Sequence, residues 1–338
     1  MPERRRDPPA ASLSPAVPAA VPPTLRTEVP MRTFLLFGLA GLLAQLVDGT
    51  LGMAFGVTAT TALLAVGTAP AVASAAVHLA EVGTSLASGL SHWKFKNIDW
   101  RTVGILAAPG AIGAVLGAYV LTSLFTENAA VWSTTILLLL GLYVLIRFSF
   151  LGLGKLISGR RPRATFLAPL GLVAGFVDAT GGGGWGPVAT TTLLSSGRLE
   201  PRKVVGSVDT SEFIVALAAG IGFLVTLSQE ESLDYTVVLG LMAGGIIAAP
   251  PAAWLVRHLP PRLLGALAGG LIVFTNARTL LDEFEAADWV FTVTCNAIVA
   301  LWATGVFAAF RSLRAERRHD PAAPEEQFAL LAAEDHNL

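Results

Sequence analysis

Residues 47–64 read VDGTLGMAFGVTATTALL, and residues 177–194 read VDATGGGGWGPVATTTLL. Laid over one another at an offset of 130, they share Asp48/Asp178, Thr50/Thr180, Gly52/Gly182, Gly56/Gly186, Thr60/Thr190, Thr61/Thr191, Leu63/Leu193 and Leu64/Leu194. Such agreement over eighteen residues is a duplication. One inserted residue later the match resumes at offset 131, with Pro70/Pro201, Val77/Val208 and Glu81/Glu212, and Asp99-Trp100 faces Asp234-Tyr235 further on.

The duplicated unit belongs in a membrane. Of 338 residues, 53% are hydrophobic and 14% charged, and mean hydropathy is +0.64. A soluble domain carries about 25% charged residues. Placement strengthens the point: 8 of the 47 charges precede Thr33 and 10 follow Phe310, leaving 29 for the 278 residues between. A net charge of −1 gives no basic footprint for nucleic acid. The single cysteine, Cys295, excludes internal disulfides and thiolate metal clusters, and no motif calls for a cofactor.

Apolar stretches between charges cover 34–47, 50–66, 71–91, 102–124 and 130–147, then 166–177, 179–195, 203–227, 235–256 and 262–281, and finally 289–310. Most are long enough to span a bilayer as helices, which takes about 20 residues. The first two of each set are shorter. Fourteen residues reach only about 21 Å of a roughly 30 Å core. Each short pair is therefore expected to form a re-entrant or broken hairpin with an aspartate near its turn.

The expected architecture is an all-α polytopic membrane protein: a disordered Pro/Ala/Arg-rich tail (1–32), a first repeat (33–148), a basic cytoplasmic linker (149–164), a second repeat (165–281), an extra transmembrane helix (289–310) and a polar C-terminal tail (311–338). Short cytoplasmic loops collect Lys and Arg. Counting each hairpin as two segments puts Lys94, Lys96 and Arg101, the linker arginines, Arg198, Arg202 and Lys203, and Arg257 and Arg262 on one side. The acidic loops at 228–234 and 282–288 then fall on the other, so the two five-segment repeats are inverted, as in many secondary transporters of the cell membrane. The N-terminal arginines Arg4–Arg6, Arg26 and Arg32 fall on the outer side, against the rule, in a long tail.

Five acids lie within the apolar segments, Asp48, Glu81, Asp178, Asp209 and Glu212, and no lysine or arginine accompanies them. Each costs a few kcal/mol in lipid unless protonated, hydrated or bound to a cation. His78 stands one helical turn before Glu81, on the same face. Asp48 and Asp178 have two compatible readings: capping the helix that follows, or contacting a substrate or ion. The run Gly181-Gly182-Gly183-Gly184 after Thr180 suits either backbone approach to an anion or close helix packing. Glu81 and Glu212, matched in mid-helix, are the leading proton carriers. Trp93, Trp100, Trp185 and Trp254 read as interface anchors.

The Gly-rich hairpin Val177–Pro187, the basic loop after it, the helix Val204–Ala218, their duplication, and the loop Asn97-Ile98-Asp99-Trp100 together resemble the sulfite exporter TauE/SafE family, also called the 4-toluene sulfonate uptake permease family, over roughly 34–281. The resemblance implies secondary transport of small organic or sulfur-containing anions such as sulfite, sulfoacetate or thiosulfate. Members commonly carry Thr-Ser in the helix after the hairpin. The second half keeps Thr210-Ser211, whereas the first has His78-Leu79, and the glycine run is reduced to Gly49, Gly52 and Gly56.

Proton-coupled transport of a small anion is thus the leading expectation. Asp48, Thr50, Gly52, Asp178, Thr180, Gly181–Gly184, Thr210 and Ser211 would bind the anion, while His78, Glu81, Asp209 and Glu212 would exchange protons. The first alternative is a cation transporter using the same acids. An intramembrane aspartyl protease would show Gly-x-Gly-Asp, whereas here the glycines follow Asp178. A non-transporting scaffold is the remaining class.

Overall fold

The computed structural model describes residues 23–51, 53–124, 128–151, 161–196, 198–199, 201–227, 233–255 and 261–319, with side chains left out at 23–30, 49–51, 195, 201–202, 250, 252–255, 261, 264 and 315–319. Gly52 lies outside the described residues, as do the side chains of Thr50 and Trp254. Among those described there is no strand. The helices are α1 (Pro23–Leu51), α2 (Phe55–Ala65), α3 (Pro70–Lys94), α4 (Trp100–Ser123), α5 (Ala129–Ile146), α6 (Ala164–Gly181), α7 (Thr191–Ser196), α8 (Pro201–Thr226), α9 (Tyr235–Leu255), α10 (Pro261–Glu283) and α11 (Asp288–His319). A π-helical turn, Arg147–Leu151, extends α5, and another, Gly186–Thr190, leads into α7. About six of the helices are long and apolar enough to cross a membrane.

Two sequence expectations need correction. The first segment of each hairpin is not short: α1 runs 29 residues and α6 runs 18, about 27 Å. Only α2, 11 residues and about 16 Å long, and its counterpart beyond Trp185 are short. Counting apolar runs stops at Asp48 and Asp178, whereas the helices continue through both aspartates, whose side chains serve the next helix rather than ending their own. The second correction concerns the tail: α1 starts at Pro23, so residues 23–32 are helical, with proline at the helix start where its missing N–H costs nothing. At the other end, α11 continues past residue 310 to His319.

Matched residues of the two halves make matched contacts. Helix α1 packs along α9, and its counterpart α6 packs along α4, while α3 meets α8 and α5 meets α10. Both long interfaces are built on glycine. A Cβ on Gly41 would strike the Leu241 carbonyl, and one on Gly171 would strike the Leu106 carbonyl; these pairs are equivalent at offsets 130 and 135. Bare backbone at such positions brings helices close where lipid supplies no hydrophobic drive for association. Two large clusters make up most of the core among the described residues. One joins α4, α6 and α8 around Trp185; the other joins α2, α3 and α9 around Phe55, the residue matched to Trp185.

Candidate functional site

In mid-protein the chain breaks after each first helix, and many of the backbone groups at the second break have identifiable partners. Gly182 takes a left-handed conformation (φ 73°) and Gly183 an extreme one (φ 151°), both closed to most side chains. The N–H groups of Gly182 and Gly183 donate to the Asp178 carbonyl at 2.7 and 3.0 Å. Those of Gly184 and Trp185 donate to Asp178 Oδ1 at 2.7 and 3.0 Å. The exposed carbonyls at the end of α6 are met by hydroxyls from three other helices. Ser74 Oγ donates to Ala179 at 2.7 Å, Ser133 Oγ to Thr180 at 2.8 Å, and Thr60 Oγ1 to Gly182. Non-helical backbone at membrane depth survives only when satisfied in this way.

The first break repeats the pattern. Asp48 Oδ1 accepts from Ala54 N–H at 2.5 Å and Phe55 N–H at 3.1 Å, the residues equivalent to Gly184 and Trp185. The two breaks touch. A Cβ on Gly56 would lie 2.7 Å from Glu81 Oε1 and 2.8 Å from Gly183 Cα, and one on Gly186 would lie 2.5 Å from Met53 Cα. Capping, one of the two roles open to these aspartates, is therefore what Oδ1 does in both halves.

The second oxygens differ between the halves. Asp178 Oδ2 lies 3.1 Å from His78 Nε2, and His78 Nδ1 lies 2.7 Å from the Ser74 carbonyl, all fully buried. Asp48 instead lines a cavity of about 10 Å³ with Gln45, Phe55, Glu81, Thr84, Ser85, Ser88, Asp209 and Glu212. That is room for about one water molecule. Glu81 is 2% exposed, and neither of its carboxylate oxygens has a hydrogen-bond partner. Asp209 Oδ2 also lacks one; His92 Nε2 stands 3.6 Å away.

Four of the five intramembrane acids thus converge on one cavity, and the fifth, Asp178, is paired with His78. The other expected residues are placed differently. Thr180 Oγ1 bonds back to the Phe176 carbonyl at 2.8 Å, Thr210 Oγ1 to Gly206 at 2.6 Å and Ser211 Oγ to Val208 at 2.6 Å. A Cβ on Gly181 would press on Ile136, one on Gly182 on Thr60, and one on Gly184 on Val177 and Asp178, so this run is tightly packed. Trp185 is no interface anchor. It is fully buried, and its Nε1 donates to the Val208 carbonyl at 3.1 Å, because it opens the short helix on the inward face. Trp93 and Trp100 are more than half exposed.

Sequence reading missed Gln45, Thr84, Ser85, Ser88 and His92. A signal existed. Glu81, Ser85, Ser88 and His92 recur at spacings of four, three and four along α3, one continuous polar stripe on the helix.

The profile of the family described as sulfite exporter TauE/SafE matches residues 37–279, which takes in both breaks, the cavity and the His78–Asp178 pair. The chain belongs to the TauE/SafE family. It is 53% identical over 277 residues to the probable membrane transporter protein YtnM of Bacillus subtilis, a match covering 82% of this chain and 92% of the relative. Two further Bacillus subtilis proteins named as probable membrane transporters are more distant. YdhB is 26% identical over 56% of this chain and 80% of its own, and YunE 24% identical over 74% and 98%. No solved structure matches. As a TauE/SafE protein the chain is a membrane transporter, and α11 lies wholly outside the residues that the family profile matches.

Proposed function

We propose that this TauE/SafE protein is a secondary transporter of the cell membrane that moves a small anion together with protons. The observation that carries the reading is the cavity: Asp48, Glu81, Asp209 and Glu212 line it, and no basic side chain does. An anion is repelled by ionised carboxylates and accepted by protonated ones, which donate hydrogen bonds. Binding of anion and protons is therefore linked, and by reciprocity each tightens the other. The hydroxyls of Thr84, Ser85 and Ser88 supply further donors on the same wall.

The family's description as sulfite exporters supports a small sulfur oxyanion as the cargo. The cavity holds about one water, so sulfite enters only when the helices part, as an alternating-access cycle requires. The exchanged contacts of α1–α9 and α4–α6 support the two-repeat architecture on which such a cycle runs, and the loop charges support its inversion across the membrane. A cation carrier is the second reading, because every lining residue except Phe55 offers an oxygen. Against it, no group of three or more His, Cys, Asp or Glu among the described residues is gathered closely enough to hold a metal ion. The same family membership makes transport, rather than peptide cleavage by Asp48 and Asp178, the proposed activity.

The test is sulfite flux into proteoliposomes containing a pH-sensitive dye. Wild-type protein is expected to carry sulfite faster from the acidic side and to acidify the lumen as it does so. Glu81→Gln should bind sulfite but lose the pH dependence. Proton-dependent flux unchanged in Glu81→Gln would rule out the coupling role, and flux driven by Na⁺ without protons would favour the cation carrier.

A further inference from the structure

The two halves do not match in charge, and one mismatch falls on the partner of a capping aspartate. At the offset of 131 that relates Glu81 to Glu212, residue 78 of α3 corresponds to residue 209 of α8. The partner of residue 78 is the capping aspartate of the second break, so the expected partner of residue 209 is Asp48, the capping aspartate of the first. In one half a carboxylate meets an imidazole; in the other, Asp48 and Asp209 line one cavity as two carboxylates.

The His78–Asp178 pair is internally balanced. A carbonyl oxygen only accepts, so Nδ1 carries a hydrogen and donates to Ser74. Nε2 then either donates to the Asp178 carboxylate or accepts from the Asp178 carboxylic acid, and in both forms one proton lies between them. Both side chains are buried and both ring nitrogens are bonded, which holds this proton in place.

At Asp48 and Asp209 no imidazole makes such a bond: His92 Nε2 comes to ion-pair distance of Asp209 Oδ2, 3.6 Å, without hydrogen bonding to it. The groups facing the pair are Glu81, Thr84, Ser85 and Ser88 of α3, Glu212 of α8, Gln45 of α1 and Phe55 of α2, with His92 of α3 beyond hydrogen-bond reach at 3.6 Å. Glu81 adds a buried carboxylate with two unpartnered oxygens aimed at the same space. One imidazole does not neutralise four buried carboxyls, which do not coexist ionised, so further positive charge must enter. The acids do not close into a metal cage, which leaves the smallest cation.

We propose that the transported proton is held between Asp48 and Asp209, in the place that the repeat gives to the His78 imidazole, and that the His78–Asp178 pair is a fixed copy that does not release its proton during transport. What the proton does rests on the carrier reading above; where it sits does not.

The experiment is an infrared pH titration of the carboxylic acid C=O band in the purified full-length protein, which needs no substrate. Wild-type protein should show a buried-acid band that bleaches as pH rises. Asp48→Asn, which keeps the Oδ1 cap, and Asp209→Asn should each diminish the band, leaving the part that Glu81 and Glu212 contribute, as should Asp209→His, which rebuilds the imidazole–carboxylate pair in the first half. Asp178→Asn should leave it intact. His78→Asn should add a second band, because Asp178 loses its counter-charge. A band undiminished in both Asp48→Asn and Asp209→Asn overturns the proposal, and so does one that disappears when NaCl replaces choline chloride at constant pH, which would mean a metal cation occupies the pair. In sulfite proteoliposomes, Asp209→His should make flux independent of pH. Absence of sulfite flux in the wild type would defeat the substrate reading while leaving the infrared result to decide the site.

Discussion

Asp178 uses its two oxygens for different purposes: Oδ1 accepts from Gly184 and Trp185, and Oδ2 meets His78. The two roles predict an ordered series. Asp178→Ala strands two buried N–H donors, each costing about 1–3 kcal/mol when unsatisfied, and leaves His78 Nε2 without a partner. Asp178→Asn keeps an acceptor for the amides and loses only the charge opposite His78. Thermal unfolding in detergent should therefore rank wild type above Asp178→Asn, and Asp178→Asn well above Asp178→Ala. Equal losses would mean the cap contributes little. The aspartate was legible in the sequence because the turn needs the same residue in both copies. Its histidine partner was not, because His78 sits 100 residues away on a helix whose local pattern links it to Glu81 instead.

At the scale of elements, glycine spacing decides how near the helices lie. Gly113 of α4 and Gly171 of α6 face backbone across their shared interface, where a Cβ would strike the Leu172 and Leu106 carbonyls. Gly104, on the same α4, has nothing within 4 Å of an added Cβ. Gly113→Ala and Gly171→Ala should each destabilise by about 1–3 kcal/mol, the usual cost of overpacking, because backbone cannot rotate away. Gly104→Ala should be neutral or gain up to about 1 kcal/mol in helix propensity. Melting temperatures of the three variants check the contrast. If Gly104→Ala is as damaging as the others, chain flexibility rather than close approach explains the glycines. Glycines are visible in a sequence, but which of them face a neighbour depends on packing between halves. The same blindness hid the short helices' true partners and the burial of Trp185. The hydroxyl stripe of α3 escaped notice because Thr84, Ser85 and Ser88 are ordinary small residues for a membrane helix until Glu81 and His92 fix their face.

For the whole molecule, the exchanged contacts of the two halves are compatible with either orientation of the repeats across the bilayer, and loop charge alone favours inversion. Trp100 and Tyr235 separate the two cases. They are matched residues at the starts of α4 and α9, and both side chains are more than half exposed. Inverted repeats place them on opposite sides of the membrane; parallel repeats place them on the same side. The chain's single cysteine, Cys295, can be replaced by alanine to give a background free of thiols. In that background, Trp100→Cys should be shielded from a membrane-impermeant maleimide applied to intact cells, and Tyr235→Cys should be labelled, since the Lys94–Arg101 loop is basic and the loop before Tyr235 holds Glu230, Glu231 and Asp234. Permeabilising the cells should expose both. Labelling of the two cysteines from one side would remove the inversion, and with it the geometric basis for a cycle in which each half takes the other's place around the Asp48–Asp209 pair.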